Sequence, residues 1–178
     1  MQKIYVTGIP GSGKSTLAHE LHERGIAAFD IDQIPGFCYW RNRKTHERRE
    51  KDEYKQGGMG REWVEAHEWR CDAEKLRELF DREDTIVVLG ITSNQEEYLH
   101  LFEKIFLLQC TEKTFLHRLD TRTNQIFGKQ KSEQESILSW YKQFEERMIK
   151  TGAIPISTEQ PISAVADVVM SVGEKTQR

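Results

Sequence analysis

At 178 residues the chain is long enough for one domain with a full core. Its formal net charge of −3 and sequence pI near 6.1 exclude a bulk basic field for nucleic acid. No apolar run approaches the length of a membrane helix, and Cys38, Cys71 and Cys110 are odd in number with no C-x-x-C spacing, which argues against a disulfide framework or a zinc site. The expectation is a cytoplasmic protein with reduced thiols, no membrane partner and little affinity for nucleic acid.

Lys3 to Thr7 is a short β-branched and aromatic run that reads as a strand. Thr7 to Thr16 follows as Thr-Gly-Ile-Pro-Gly-Ser-Gly-Lys-Ser-Thr, in which Gly8 and Gly13 bracket four residues before Lys14-Ser15. This is the phosphate-loop pattern. Glycines let the backbone curl and aim N–H groups at an anion, and a helix starting there adds its positive end. Gly8, Gly11, Ser12 and Gly13 are therefore candidate cradle residues. Lys14 is suited to the β- and γ-phosphates of ATP, Ser15 to Mg²⁺, and Thr16 to the α-phosphate. Leu17, Ala18 and Leu21 form the apolar stripe of the helix, and Gly25 is a plausible stop.

Ile26 to Phe29 reads as a second strand ending in Asp30-Ile31-Asp32. Two carboxylates at the C-terminal end of a strand suit a metal or an acceptor hydroxyl, since ligands of open α/β sheets bind at that edge. The same residues also suit an Asp-rich turn or a helix cap. From Gln33 to Asp84 the pattern shows no further strand, and some fifty residues far exceed a crossover helix. A helical, acceptor-binding insertion over 33–84 is expected. In it, Arg41 to Lys55 reads as a solvated helix face with Glu47–Lys51, Arg48–Asp52 and Arg49–Glu53 pairs, and Arg41, Arg43 or Lys44 is an alternative contact for an anionic acceptor. Gly57 to Gly60 suits a hinge. Arg61 to Phe80 reads as one helix with Trp63, Ala66, Trp69, Ala73, Leu76 and Leu79 on a stripe. Trp40, Trp63, His67 and Trp69 suit either packing or the wall of an acceptor pocket.

Thr85 to Leu89 is a buried strand that ends at Gly90 rather than at the Asp of GTPases and motor ATPases, and no Asn-Lys-x-Asp guanine motif is present. A metal-supporting carboxylate must come from Asp30 or Asp32. Gly90 and Thr92 are candidate substrate neighbours, and Thr92 to Asn94 suit a helix cap equally. Lys104 to Leu108 is the fourth strand. Thr111 caps a helix carrying Arg118 and Arg122, and the basic segment 121–131 suits a lid that brings arginines onto phosphates. Ser132 to Glu135 reads as a capping box for a long helix with Ile137, Tyr141, Phe144 and Met148 on one face. Ala153 to Ser157 is an edge strand because of Pro155, and Pro161 starts the last helix, whose tail from Gly173 is expected to fray.

In this order the motifs resemble the small-molecule kinases of the P-loop superfamily, the nucleoside-monophosphate-kinase and shikimate-kinase group. The resemblance spans nearly the whole chain and rests on Gly8 to Thr16, Asp30-Ile31-Asp32, Arg118 with Arg122, and the turn around Thr158 to Pro161. It implies a single α/β domain over 1–178, a three-layer sandwich on a five-stranded parallel sheet of order 2-3-1-4-5, an acceptor-binding insertion after strand two, and a lid. It further implies ATP and Mg²⁺ as cofactors. Asp30 would support the metal and Asp32 orient or deprotonate the acceptor. Arg118 or Arg122 would flank the nucleotide, and Thr158, Gln160 and Pro161 would border the adenine. The chain departs from the group at strand three, which lacks both the Asp-Gly-x-Pro-Arg sequence of adenylate kinases and the glycine triplet of shikimate kinases. The acceptor thus stays open between a nucleoside or nucleotide, for which Trp40 or Trp69 offers stacking, and a sugar or shikimate-like alcohol. A slow nucleotide-hydrolysing switch and a nucleic-acid end kinase are the readings from other classes.

Overall fold

A computed structural model describes residues 2–54, 60–80, 84–123 and 127–174. Most of the Gly57 to Gly60 hinge, the middle of the lid segment and the end of the tail fall outside the described residues. The elements in chain order are β1 (Gln2–Thr7), α1 (Lys14–Glu23), β2 (Ala27–Asp30), β3 (Cys38–Asn42), β4 (Arg48–Arg49), α2 (Arg61–Ala66), β5 (His67–Cys71), α3 (Ala73–Leu79) and β6 (Thr85–Leu89). Then come β7 (Lys104–Gln109), α4 (Glu112–Thr121), α5 (Lys131–Lys150), β8 (Ile154–Ser157) and α6 (Ile162–Glu174).

Five strands form a parallel sheet in the order β2-β6-β1-β7-β8, which is 2-3-1-4-5 when the strands of this sheet alone are counted. Alternation along each strand splits the core into the outer layers of the sandwich. Ile4, Val6, Val87, Leu89, Phe106 and Leu108 face α1 and α6, meeting Leu17, Leu21, Val165 and Val169. On the opposite face Tyr5, Ile86 and Val88 meet Leu76, Leu79, Tyr98 and Phe102. Leu107 meets Phe115, Leu119, Ile137 and Phe144 of α4 and α5. Pro155 lies in β8, which pairs with β7 alone and so needs no donor on its outer side.

The insertion differs from the helical expectation. Its centre is a second, three-stranded antiparallel sheet in the order β4-β3-β5. Residues 61–80, read from sequence as one helix, are a short helix, a strand and another short helix. The stretch from His67 to Cys71 satisfies both periods: Trp69 fits a helical stripe, but His67, Trp69 and Cys71 also alternate with Glu68 and Arg70. Cross-strand pairing decides for the strand, with Trp40 opposite Trp69 and Arg41 opposite Glu68. The charged run is likewise strand and 3₁₀ turn, and Arg49 bridges both Glu47 and Glu53 at 3.0 and 3.5 Å, while Arg48 bridges Glu50 at 2.9 Å. The long helix is capped two residues earlier than expected, at Gln130 and not Ser132. Gln130 and Glu133 form the box instead. Asp72 caps α3 and Thr111 caps α4 through their side chains.

Phe106 is fully buried between β1, α1 and α6. Phe106→Ala is expected to lower stability by about 3–5 kcal/mol, because the sheet cannot collapse onto the cavity. Urea denaturation checks this: the midpoint drops while the slope with denaturant stays constant.

Candidate active site

The loop between β1 and α1 wraps the start of α1 at the C-terminal edge of the parallel sheet. Gly13, immediately before the helix, has φ of 105°, a left-handed conformation that a side chain resists. Lys14 is 8% exposed, and its ammonium donates to the carbonyls of Gly8 at 2.7 Å and Ile9 at 3.2 Å. Burial holds its pKa below the ordinary value, opposed by the charges of Asp32 and Asp30. The Ser15 hydroxyl donates to Asp30 Oδ2 at 2.6 Å. Ser12 Oγ is buried with no partner.

The other half of the site is centred on Asp32. Trp69 Nε1, from the antiparallel sheet, donates to Asp32 Oδ1 at 2.8 Å, and the Ile91 amide, from the end of the parallel sheet, donates to Oδ2 at 3.4 Å. Burial raises the Asp32 pKa from 3.8 to about 6, against the pull of Lys14. Gly90 follows β6, and a Cβ there would lie 2.6 Å from Ile31 Cγ1, so the close approach of the strand end to residues 31 and 32 requires glycine.

A cleft of about 1520 Å³ joins the two halves. Among the expected residues, Gly11, Gly13, Lys14, Ser15, Thr16, Arg118, Arg122, Thr158 and Gln160 line it on the phosphate-loop side. Asp32, Trp40, His67 and Thr92 line it on the other. Arg118 ties the loop to the late turn. Its guanidinium donates to Thr158 Oγ1 at 3.0 Å and Thr158 O at 2.8 Å, and reaches the carbonyls of Gly11 and Ser12 at 3.4 Å. Arg122 donates to the Phe127 carbonyl, and its buried Nε has no partner among the described residues.

Some expected residues stand elsewhere. Arg41 is not in the lining; it pairs with Glu68 at 2.5 Å, and Arg43, two residues on, lines the cleft instead. Gly8, Ser12, Asp30, Gly90 and Pro161 are not in the lining, though Asp30 reaches its edge by accepting from Ser15 at 2.6 Å. His67 lines it, yet both ring nitrogens are engaged: Nδ1 donates to the Trp63 carbonyl at 2.8 Å, which leaves Nε2 to accept from Asn42 at 3.5 Å. The Trp40 ring packs on Tyr54, Trp63 and Trp69 at 5.1–5.6 Å between centroids.

Sequence reasoning missed three features. Trp140, Gln143 and Arg147 of α5 add to the lining; they lie off the apolar stripe, which was the available signal. Tyr54 packs on Phe127 and donates to Glu133, whose other oxygen accepts the amides of Gly128 and Gln130, joining the insertion to the base of the lid segment. Tyr5, Tyr98 and Thr92 form a buried hydroxyl chain. No local pattern announces the last two, because both join residues far apart in sequence.

Ser15 and Asp30 offer hard oxygen donors side by side, which fits Mg²⁺. No group of three or more His, Cys, Asp or Glu suited to a metal occurs among the described residues. A divalent ion held here would therefore also depend on oxygens of a phosphate ligand.

Comparison with known proteins bears on the family and the fold. The AAA domain family matches residues 4–138. Shikimate kinase from Bacteroides thetaiotaomicron superposes with a TM-score of 0.60 at 17% identity, over 97% of this chain and 98% of that one. Deoxyadenosine kinase from M. mycoides with bound dATP gives 0.58 at 15%, over 98% and 100%. TT1252 from Thermus thermophilus gives 0.57 at 18%, over 99% and 98%. The fold is thus that of small-molecule P-loop kinases. No curated protein matches the sequence.

The raised Asp32 pKa has a consequence for stability. Between about pH 4 and pH 6 the folded state keeps a proton that the unfolded chain has released, so this group makes stability fall as pH rises through that window. Asp32→Asn is expected to stabilise the protein at pH 7 by about 1–3 kcal/mol. That gain should vanish below about pH 4. Denaturation curves of both proteins across the pH range check it, and a pH-independent difference would contradict it.

Proposed function

This chain belongs to the AAA domain family, and from that premise we propose that it transfers the γ-phosphoryl group of ATP to a small-molecule acceptor, with a nucleoside or nucleotide favoured. The observation that carries the reading is the meeting, in one cleft, of a phosphate loop with its buried Lys14 and a carboxylate, Asp32, held by donors from both sheets.

In this reading phosphates of ATP take the loop, and the Lys14 ammonium turns from the Gly8 and Ile9 carbonyls to their oxygens. Arg118 and Thr158 bound the nucleotide side, together with Gln160. Ser15 and Asp30 would hold Mg²⁺, which when bound neutralises phosphate charge and orients the transferred group. Arg122, in the cleft wall, adds a second cation facing the developing charge. Asp32 orients the acceptor hydroxyl and takes its proton. A pKa near 6 leaves it ionised at neutral pH yet close enough to receive that proton. Catalysis is then positioning and charge neutralisation, with no covalent intermediate.

Aromatic walls from Trp40, Tyr54 and Trp69 support a planar base as the acceptor's anchor. Solved kinases of this fold are named for shikimate and for deoxyadenosine, which supports a hydroxyl-bearing acceptor and keeps a sugar or shikimate-like alcohol as the second reading. A nucleic-acid end kinase has less support. Arg41, Arg48 and Arg49, the cations it would use, are each paired with a glutamate of the same insertion.

Lys14→Ala is expected to cut turnover at least about a hundredfold, the scale of one lost transition-state donor. The measurement is ADP release from ATP and Mg²⁺ across nucleosides, nucleotides, sugars and shikimate-like alcohols. Stimulation by one class that is lost in the variant supports the kinase. Release that ignores every acceptor favours a nucleotide switch, and near-normal turnover in the variant overturns the central role of the loop.

A further inference from the structure

Beneath the acceptor half two phenols with no access to water meet a threonine of the cleft lining. Tyr5 and Tyr98 are fully buried, and Thr92 is 5% exposed with its remaining surface on the cleft. The Tyr5 hydroxyl lies 3.0 Å from the Gly90 carbonyl and 3.2 Å from the Tyr98 hydroxyl, which in turn lies 2.6 Å from Thr92 Oγ1. These three contacts have three protons to share. A carbonyl has none, so Tyr5 donates to Gly90. Tyr98 must then donate to Tyr5, and Thr92 must donate to Tyr98. Any other arrangement leaves the Gly90 contact or the Tyr5–Tyr98 contact without a proton, so that buried lone pairs face each other, or sets two protons against each other. Burial also pushes both phenols well above their ordinary pKa, so neither releases its proton at working pH.

The direction of this chain decides what the cleft sees. With its proton committed inward, the Thr92 oxygen has only lone pairs left. Ile91, one residue before it, gives its amide to Asp32, so the two oxygen acceptors are joined through a single residue. We propose that Thr92 is a specificity-determining residue that accepts a hydrogen bond from the acceptor molecule, and so selects one that carries a second O–H or N–H besides the hydroxyl to be phosphorylated: a polyol or amino alcohol. This rests on the kinase reading for which hydroxyl reacts, and adds to it the chemistry of the second group. A carbonyl or fluorine in that place would meet a lone pair and lose affinity.

The test measures binding, so it does not require turnover. Calorimetry is run on the full chain, saturated with Mg²⁺ and a non-hydrolysable ATP analogue. The probes are ribonucleosides and pyranose sugars, each against its singly deoxygenated and keto relatives. Wild type is expected to bind at least one hydroxylated member at least about tenfold tighter than both relatives. Thr92→Val should erase that preference and Thr92→Ser should restore it. Tyr5→Phe supplies a readout that a structural role would not move. Without the Tyr5 oxygen, Tyr98 donates to Thr92 instead, whose own proton turns to the cleft, and the keto relative should gain at least about fivefold in relative affinity. Equal or absent binding within every pair in wild type, a preference that survives Thr92→Val, or no change in Tyr5→Phe overturns the proposal. A probe that shows the full signature yet is never phosphorylated overturns the kinase reading and leaves this one standing.

Discussion

Asp32 joins the two sheets of this protein through its carboxylate, beside the hydrogen bonds of Ser93 and Asn94 to β5. Its carboxylate takes the Trp69 indole N–H from the antiparallel sheet and the Ile91 amide from the parallel one. Burying a carboxylate is costly unless donors meet it, so these contacts hold the insertion and the strand ends in register as well as orienting the group. The absence of a side chain at Gly90 lets the end of β6 come this close, and the packing of Ile31 against it shows how little room remains. Disturbing any of these contacts would move the catalytic candidate and the acceptor wall together.

The rest of the cleft follows the same logic of charge held in place before a ligand arrives. The Lys14 ammonium rests on two backbone carbonyls, and Arg118 bridges the loop to the Thr158 turn. Neither cation is free to wander, which lowers the ordering cost when phosphate replaces those partners. Arg122 lines the cleft at the end of α4, with a buried Nε that has no partner among the described residues. An unpaired buried guanidinium nitrogen is costly, and an anionic ligand is the natural way to relieve it.

The insertion gives the protein its individual character. Its second sheet aligns Trp40 with Trp69 across the strands and lays both beside Tyr54 and Trp63. Arginines that look from sequence like a ligand-greeting run are instead matched with glutamates: Glu68 alone receives Arg41, Arg43 and Arg70. The insertion thus faces the cleft with Trp40, Tyr54 and Trp69 together with Arg43, Glu50 and Lys51, while Arg41 is held out of the lining by Glu68. Tyr54, joined to Glu133 and Phe127, carries this wall across to the segment between α4 and α5, so the insertion and that segment share one packed contact.

The sequence by itself determined the parallel sheet, its strand order through resemblance, and the loop that cradles an anion. These depend on local signals: a β-branched run, a fixed glycine spacing, a helix stripe. The same signals, together with the resemblance, singled out Lys14, Ser15, Asp32 and Arg118, all of which line one cleft. Tertiary structure alone decided what stands opposite them. Residues 61–80 carry both a helical and a strand period, and only pairing with β3 selects between them. Trp69 as the donor to Asp32, Arg41 as a structural ion pair, and the proton order from Thr92 through Tyr98 to Tyr5 all join residues separated by several to some ninety positions. Such contacts leave no periodic trace in the chain, because each is set by the geometry of two elements meeting and not by the propensity of either.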